Sequence, residues 1–371
     1  MKIHANNMHS IYLVFFAAAF LLSLLASFAV ARLATQKGIV DVPDEGRHLH
    51  KKSTPMLGGL AVYFGFFIAT LTIGFFGGHL LNGNIPLPLL LGVWGGGAIL
   101  MVGGYLDDKF HLSAKYSIIS PVLACLLIVA VGVKAVSVHS PLSGNVIILD
   151  DIQIYGLKFL SGLVVFLWTM TLTYTTKLLD GMDGLVAGIC AIAAMVLFGL
   201  SLSPEVMQPQ TAMLAAALAG SLLGFLVLNF HPAKIFLGES GSTFAGFLLA
   251  VLAIISGGKI ATTLLVMGIP FLDMLWVIFR RLRAGRSMFS GDREHLHFRL
   301  KEIGLSEPQT VLLLYFLTAM FGLAGLFLQS RGKLVAFVIL VVVMLAIVSS
   351  LVVRFRHPPA ASGGGGGENN G

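Results

Sequence analysis

Two carboxylates three residues apart, each followed by a glycine, form the stretch Asp180-Gly181-Met182-Asp183-Gly184. The stretch lies between two long apolar runs. A charged side chain at such a place is costly in a bilayer and is usually retained for function. Glycine lets the backbone turn tightly and approach a ligand closely. The stretch therefore predicts a polar site at the edge of a membrane, with Asp180 and Asp183 among its carboxylates.

Four other polar segments each follow an apolar run and combine carboxylates, bases or glycines. Carboxylates gathered in one place repel one another unless a divalent cation or protons lie between them. Neighbouring Lys, Arg and His side chains suit an anionic substrate, especially a phosphate. Together the segments predict a metal-assisted phosphoryl transfer, in which positioning and electrostatics provide most of the catalysis. The four segments are Arg47–Pro55, Asp107-Asp108 with Lys115, Gly238–Thr243, and Asp292–His297.

The composition excludes a soluble globular protein. Of the 371 residues, 57% are hydrophobic and 11% are charged, whereas about a quarter of a soluble chain is charged. The net charge of +7 would favour a nucleic-acid partner in a soluble protein. Here the basic residues lie in loops beside apolar runs, so we expect a membrane and no nucleic acid as partner.

The apolar runs predict an all-α polytopic membrane protein with about 11 transmembrane helices. Each run approaches the ~20 residues that a helix needs to cross ~30 Å of hydrocarbon. The eighth run is the shortest and has glycine-rich flanks. The predicted spans are Ile11–Ala31, Leu57–Phe76, Leu87–Leu106, Ser117–Val133, Leu157–Leu179, Leu185–Leu202, Thr211–Phe230, Ser242–Ile255, Ile260–Phe279, Val311–Leu328 and Leu334–Val353.

The basic residues predict the orientation of these spans. The loops that follow odd-numbered spans hold 18 of the 24 Lys and Arg residues. By the positive-inside rule, the amino terminus is outside and the carboxyl terminus is cytoplasmic. The polar segments then share the cytoplasmic side, in loops 32–56, 107–116, 177–184, 231–242 and 280–308.

Three regions complete the predicted organisation. Residues 1–10 form a short tail, residues 11–353 form the membrane catalytic domain, and residues 354–371 form a glycine-rich tail that we expect to be disordered. On the outer side, Lys134–Gly156 combines turn residues with alternating apolar residues. That pattern predicts a small hairpin.

Each motif also has an interpretation without chemistry. Asp107-Asp108 is compatible with a helix end at the interface, and Asp180 with Asp183 is compatible with helix N-terminal charges. Glu239 in a Gly/Ser turn is compatible with a solvated loop acid. Five polar loops with complementary charges on one side of the membrane favour a site over these separate interpretations.

At this point the order of motifs resembles that of the polyprenyl-phosphate N-acetylhexosamine-1-phosphate transferases. These membrane enzymes move a sugar 1-phosphate from a UDP-sugar to a lipid phosphate and release UMP. The resemblance covers about Asp41 to Leu300. The motifs that carry it are Asp41-Val42-Pro43 with His50 and Thr54–Gly59; Gly104–Asp108 with Lys115; Leu179–Leu185; Lys234–Ser242; and Asp292-Arg293-Glu294-His295-Leu296-His297.

The resemblance implies roles for individual residues. Asp107 and Asp108 match an aspartate pair that activates the lipid phosphate near Mg²⁺, and Glu239 stands where the family usually has a metal-binding aspartate. We therefore expect Mg²⁺, with Mn²⁺ as an alternative, at Glu239 and Asp107. The expected catalytic residues are Asp107, Asp108 and Asp183. The expected substrate-binding residues are Lys51, Lys115, Lys177, Asp180, Gly181, Arg293, His295 and His297.

This sequence departs from the family pattern at the metal site. Lys177 and Tyr174 stand where the family usually has asparagines, and Glu239 replaces an aspartate. We hypothesise that Lys177 pairs with Glu239 or with a substrate phosphate, and that Mg²⁺ shifts toward Asp107 and Asp108. A further departure is Phe298, where many relatives have another histidine.

The fifth motif favours one branch of the family. Its Asp-Arg-Glu-His-Leu-His pattern resembles the enzymes that start cell-envelope glycans, such as lipopolysaccharide or cell-wall polymers, with GlcNAc-1-phosphate. We therefore expect a UDP-sugar donor, a polyprenyl phosphate acceptor and a site on the cytoplasmic face of the inner membrane, with a homodimer left open. The alternatives are a phospho-MurNAc-pentapeptide transferase, a lipid- or nucleotide-binding homologue with altered catalysis, and a secondary transporter.

Overall fold

The computed structural model describes residues 2–42, 53–81, 83, 85–134, 137–139, 146–148, 159–257, 259–285 and 295–356. These residues are mostly helical. Helix α2 continues into a π-helical segment, Thr70–Phe76. The helices are α1 Lys2–Gln36, α2 Gly58–Ala69, α3 Leu87–Phe110, α4 Ala114–Ser117, α5 Ile119–Ala130, α6 Phe159–Leu179, α7 Leu185–Leu202, α8 Pro209–Asn229, α9 Gly238–Ile255, α10 Ile260–Val266, α11 Gly268–Arg283, α12 Leu296–Glu302, α13 Glu307–Phe327 and α14 Ser330–Arg356.

The structure confirms the all-α class of the predicted membrane protein. Nine helices in the described ranges are long and apolar enough to cross a bilayer. The predicted fourth span corresponds to α4 and α5, a shorter apolar stretch over Ala114–Ala130. At a rise of 1.5 Å per residue, this stretch extends for about 25 Å.

The ninth span, predicted as one helix, is two helices. α10 and α11 meet at a bend of 78° around Met267. Gly268 and Pro270 are the first and third residues of α11. Proline lacks the amide hydrogen that would bond to the preceding turn, so a break at this point has a local cause.

Two small antiparallel strand pairs lie outside the helices. The first joins β1, Val40–Asp41, to β2, Thr54–Pro55. The second joins β3, Ser137–His139, to β4, Val146–Ile148. The second pair confirms the predicted hairpin, and the turn between its strands lies outside the described residues. Of the predicted glycine-rich tail, residues 354–356 belong to α14 and the others lie outside the described part.

α9 is the central helix of the bundle. Of the 18 residues of α9, 89% are buried, compared with 17% of Ser330–Ile347 in α14. It begins at Gly238, four residues before the predicted span, because the polar Gly238–Ser242 segment forms its first turn. The shortest of the predicted spans therefore forms the most buried of the membrane-span helices, and its polar first turn lies inside the protein.

α1 packs closely on α8 through two glycines. A Cβ atom placed on Gly220 or Gly224 would lie 2.2 Å from the carbonyl oxygen of Phe16 or Phe20, respectively. These glycines are four residues apart and therefore share one face of α8. Such small-residue faces let membrane helices approach at backbone distance.

We predict that Gly220→Val destabilises the protein by roughly 2 kcal/mol or more, because the added side chain must push α1 away from α8. The measurement is the thermal unfolding midpoint of detergent-solubilised protein. Gly199→Ala is the control, since its added carbon would lie 3.5 Å from Leu326, at ordinary contact distance. Equal midpoints for the two variants would contradict the proposed packing.

Candidate active site

The aspartate pair at the end of α3 meets the beginning of α9. The backbone amide of Glu239 donates to Oδ1 of Asp108 at 3.1 Å. Oδ2 of Asp108 is buried and has no hydrogen-bond partner in the described part of the chain. A Cβ on Gly238 would lie 2.6 Å from that oxygen, and Gly238 has a φ of +73°. Glycine is therefore required here by both space and backbone conformation.

Lys177 joins this pair to α9. Its Nζ forms an ion pair with Oε1 of Glu239 and lies 2.6 Å from Oγ of Ser117. Ser117 in turn donates to Oδ2 of Asp107 at 2.5 Å. Lys177 also lies 5.5 Å from the centre of the Tyr174 ring. The predicted pairing of Lys177 with Glu239 is therefore confirmed.

Asp180 adds a further carboxylate to this group. It lines a cavity of about 300 Å³. Desolvation by the surrounding protein, together with the negative charges of Glu239 and Asp108, raises the pKa of Asp180 to about 8. Asp107, Asp108, Asp180 and Glu239 thus converge, and the ammonium of Lys177 offsets only part of their charge. Such a set of oxygen ligands with excess negative charge suits a hard divalent cation.

A second group of side chains lies on the other side of the Asp180 loop. Oδ2 of Asp183 lies 2.9 Å from Nδ1 of His231 and accepts the amide of Ala233 at 3.0 Å. The amide of Asp183 donates to Oε1 of Glu307 at 3.2 Å. Glu307 also pairs with Lys301 at 3.0 Å. One ligand atom from each of Asp183, His231 and Glu307 falls within 4.8 Å of the others, so this group also has the geometry to hold a metal ion.

The two predicted histidines come together on the short helix α12. Nδ1 of His295 lies 2.8 Å from Oδ2 of Asp273, whose Oδ1 accepts the amide of Leu296 at 2.8 Å. The rings of His295 and His297 stack with their centres 5.6 Å apart. A carboxylate on α11 therefore fixes the start of α12.

His297 faces the Asp180 loop. A Cβ on Gly181 would lie 2.6 Å from its Nε2. Neither ring nitrogen of His297 has a hydrogen-bond partner among the described residues. Burial lowers the pKa of His297 to about 3, although the charge of Asp273 acts in the opposite direction. His297 is thus neutral at physiological pH, with one nitrogen able to donate and one able to accept.

The cavity is lined by the Asp180 loop and by the group of Asp183, His231 and Glu307. Its wall includes two aromatic side chains, Phe236 and Phe298, beside carboxylates and an amide. Part of the β1 strand also reaches it. The lining residues are Asp41, Met56, Asp180, Gly181, Met182, Asp183, Asn229, His231, Phe236, Leu237, Gly238, Phe298 and Glu307.

Not every predicted site residue joins this arrangement. Lys115 is exposed on α4. Lys51 and Arg293 lie outside the described residues.

Sequence reasoning missed Asp273, His231 and Glu307. Asp273 is a carboxylate inside a predicted apolar span, and this position could have indicated a functional residue. Glu307 instead looks like an ordinary acidic residue in the first turn of a helix, and His231 carries no such signal in the sequence.

Comparison with known proteins identifies the family of this chain. Residues 90–257 match the model of glycosyl transferase family 4. The chain is 30% identical over 323 residues, 85% of each chain, to a probable undecaprenyl-phosphate N-acetylglucosaminyl 1-phosphate transferase of Bacillus subtilis. It is 34% identical over 325 residues to the decaprenyl-phosphate N-acetylglucosaminephosphotransferase of Mycobacterium leprae, covering 80% of this chain and 78% of the relative.

The chain belongs to glycosyl transferase family 4. The resemblance inferred from the five motifs is thereby confirmed. A third relative, a phospho-N-acetylmuramoyl-pentapeptide-transferase of Desulforudis audaxviator, is 32% identical over 301 residues, 76% of this chain and 86% of the relative. The matched region of the family model includes Asp107, Asp180 and Glu239 and ends before α12.

We predict that Asp273→Asn loosens α12, because the charge-assisted bond to His295 is lost. Hydrogen–deuterium exchange of residues 295–302 should become roughly tenfold faster, the effect expected for one hydrogen bond to a charged group. Glu302→Gln is the control, since Glu302 is an exposed carboxylate on the same helix. Unchanged exchange in Asp273→Asn would mean that other contacts hold α12 in place.

Proposed function

We propose that this protein transfers GlcNAc-1-phosphate from UDP-GlcNAc to a polyprenyl phosphate and releases UMP. Its family and the names of its relatives indicate a glycosyl-1-phosphate transferase that acts on polyprenyl phosphate. The observation that carries the proposal is the convergence of Asp107, Asp108, Asp180 and Glu239 beside an aromatic-walled cavity. In the reaction, a phosphate oxygen of the lipid attacks the β-phosphorus of the donor, and the bond to the UMP oxygen breaks.

The carboxylate group fits a divalent cation, which we propose is Mg²⁺, with Mn²⁺ as an alternative. Oδ2 of Asp108, which is buried and has no hydrogen-bond partner among the described residues, supports this fit. Both ions prefer oxygen ligands. A cation bound there would neutralise charge that develops on the transferring phosphate. Its ligands would come from the group formed by Asp107, Asp108, Asp180 and Glu239, in which Asp108 and Asp180 keep oxygens toward buried space or the cavity.

The same carboxylates orient the acceptor. A phosphate monoester carries about −1.5 to −2 charge at pH 7, so the acceptor is already largely ionised before it reacts. We propose that Asp108 takes the remaining proton from the lipid phosphate and directs its oxygen toward the donor. The burial of Asp108 beside the α9 amides keeps this carboxylate in one orientation.

We assign the donor nucleotide to the cavity. Phe236 and Phe298 offer aromatic faces for a base, and base–aromatic stacking contributes about 1–3 kcal/mol. Neutral His297, beside Gly181, offers a donor and an acceptor to the sugar or phosphates. Asp183 positions the 231–233 loop and the beginning of α13 around this cavity. Its predicted catalytic role stays a prediction.

The remaining predicted bases would assist with phosphate charge. Lys115 is exposed on α4, so it is available to an incoming phosphate. Lys51 and Arg293 belong to the same cytoplasmic loops in the sequence. We propose that the site faces the cytoplasm at the inner membrane, since 18 of the 24 basic residues are on that side of the predicted topology. The homodimer stays a prediction.

A phospho-N-acetylmuramoyl-pentapeptide transferase is the second candidate, because one relative with that name is 32% identical. The reaction type and the acceptor class would be the same, and only the sugar would differ. Discrimination between donors depends on a few pocket contacts. The donor therefore has to be measured directly.

We predict that purified protein releases UMP when it is incubated with undecaprenyl phosphate, Mg²⁺ and UDP-GlcNAc. The Asp108→Asn variant should release at least about 10²-fold less UMP, the effect expected when a group that transfers a proton is lost. Parallel assays contain UDP-MurNAc-pentapeptide and other UDP-HexNAc donors. Release with the pentapeptide donor alone would select the second candidate. Binding of UDP-sugar without release from any donor would indicate a homologue that has lost catalysis.

We also predict that Phe298→Ala raises the KM for the donor about 5- to 100-fold with little change in kcat, because one stacking face is lost. Phe298→His keeps an aromatic ring and should resemble the original protein. The matched control is Phe316→Ala, since Phe316 is 60% exposed on α13. An unchanged KM in Phe298→Ala would place the base elsewhere.

A further inference from the structure

The ammonium of Lys177 lies among carboxylates that a divalent cation would otherwise share. It is paired with Glu239, lies 2.6 Å from Oγ of Ser117 and lies 4.0 Å from Oδ2 of Asp107. Because Ser117 donates to that same oxygen of Asp107, the lysine at the end of α6 connects the carboxylates of α3 and α9.

Asp108 and Asp180 offer their oxygens elsewhere. Asp108 uses Oδ1 for the amide of Glu239 and keeps Oδ2 buried, without a hydrogen-bond partner in the described ranges. Gly238 leaves open the space beside that oxygen, where a Cβ would come within 2.6 Å. Asp180 lines the adjoining cavity. These two carboxylates are therefore the ones directed toward an incoming ligand.

We propose that the ion pair between Lys177 and Glu239 prevents Glu239 from ligating the divalent ion, so that Asp108 and Asp180 supply the carboxylate ligands. An ammonium has only donors and cannot ligate a metal. It also repels a second cation a few ångströms away. Lys177 is thus a positioning residue that weakens divalent-ion binding and holds Glu239 and Asp107 in place before the ion arrives. The inference rests on the proposed function, since it concerns the same cation site.

The test is a titration with Mn²⁺, followed by electron paramagnetic resonance of the free ion, on detergent-purified protein without substrates. Lys177→Met should lower the Mn²⁺ dissociation constant by about tenfold, because the repulsion is removed and Glu239 becomes a ligand. With Lys177 present, Glu239→Gln should weaken binding by less than the roughly tenfold expected for Asp180→Asn, because it removes a nearby charge but no ligand. In the double variant, Glu239→Gln should abolish most of the gain, so the two substitutions are coupled.

Three further variants test the charge at position 177, the effect of removing an unrelated lysine, and the role of a proposed ligand. Lys177→Arg retains the charge and should bind Mn²⁺ within about threefold of the original protein. Lys234→Met removes an exposed lysine from the loop before α9 and should leave binding unchanged. Asp180→Asn removes a proposed ligand and should weaken binding by at least about tenfold. Size-exclusion chromatography identifies the variants that remain folded.

Two results would overturn the inference. The first is a tenfold or greater loss of Mn²⁺ binding in Glu239→Gln with Lys177 intact, because Glu239 would then already be a ligand. The second is unchanged binding in folded Lys177→Met. If Lys177→Met does not fold, the Glu239→Gln titration alone decides. Since no sugar nucleotide is present, a failed transferase assay and a failed metal titration remain separate outcomes.

Discussion

One hydrogen bond, from the amide of Glu239 to the carboxylate of Asp108, joins the end of α3 to the beginning of α9. The rest of the site depends on that junction because α9 is the most enclosed of the spans. Carboxylates next to such a helix are partly removed from water, and each needs a donor or a cation to offset that cost. The amides at the start of α9 and the ammonium of Lys177 supply part of this compensation, and the remainder of the negative charge is available to a ligand.

Two of the departures from the expected family pattern, Lys177 and Glu239, contact each other in the structure. A lysine at position 177 would bring an unpaired cation into the site, and a glutamate at 239 would extend a carboxylate by one methylene. In the structure the two side chains meet, so the ammonium of Lys177 and the carboxylate of Glu239 offset each other's charge. Ser117 extends the contact to Asp107, so these side chains connect four helices, α3, α4, α6 and α9.

Four aspartates at the site divide into two kinds. Asp108 and Asp180 keep oxygens directed into buried space or into the cavity. Asp183 and Asp273 instead hold backbone amides and histidines, and so fix the 231–233 loop and the start of α12. A phosphoryl transfer that depends on positioning requires loops that do not move relative to the reacting groups, and contacts of the second kind hold loops in this way.

The sequence by itself determined the helical membrane class, nearly all of the spans, the polar loops and the family, because apolar length and motif order are local properties of the chain. It also predicted the contact between Lys177 and Glu239, since two unusual charges at related positions favour a pair. Only the tertiary structure decided that α9 is the central helix, that α10 and α11 form a broken span, and that Asp273, His231 and Glu307 join the site. Those contacts bring together residues up to 124 positions apart, and a side chain's partners at such separations depend on how the helices pack.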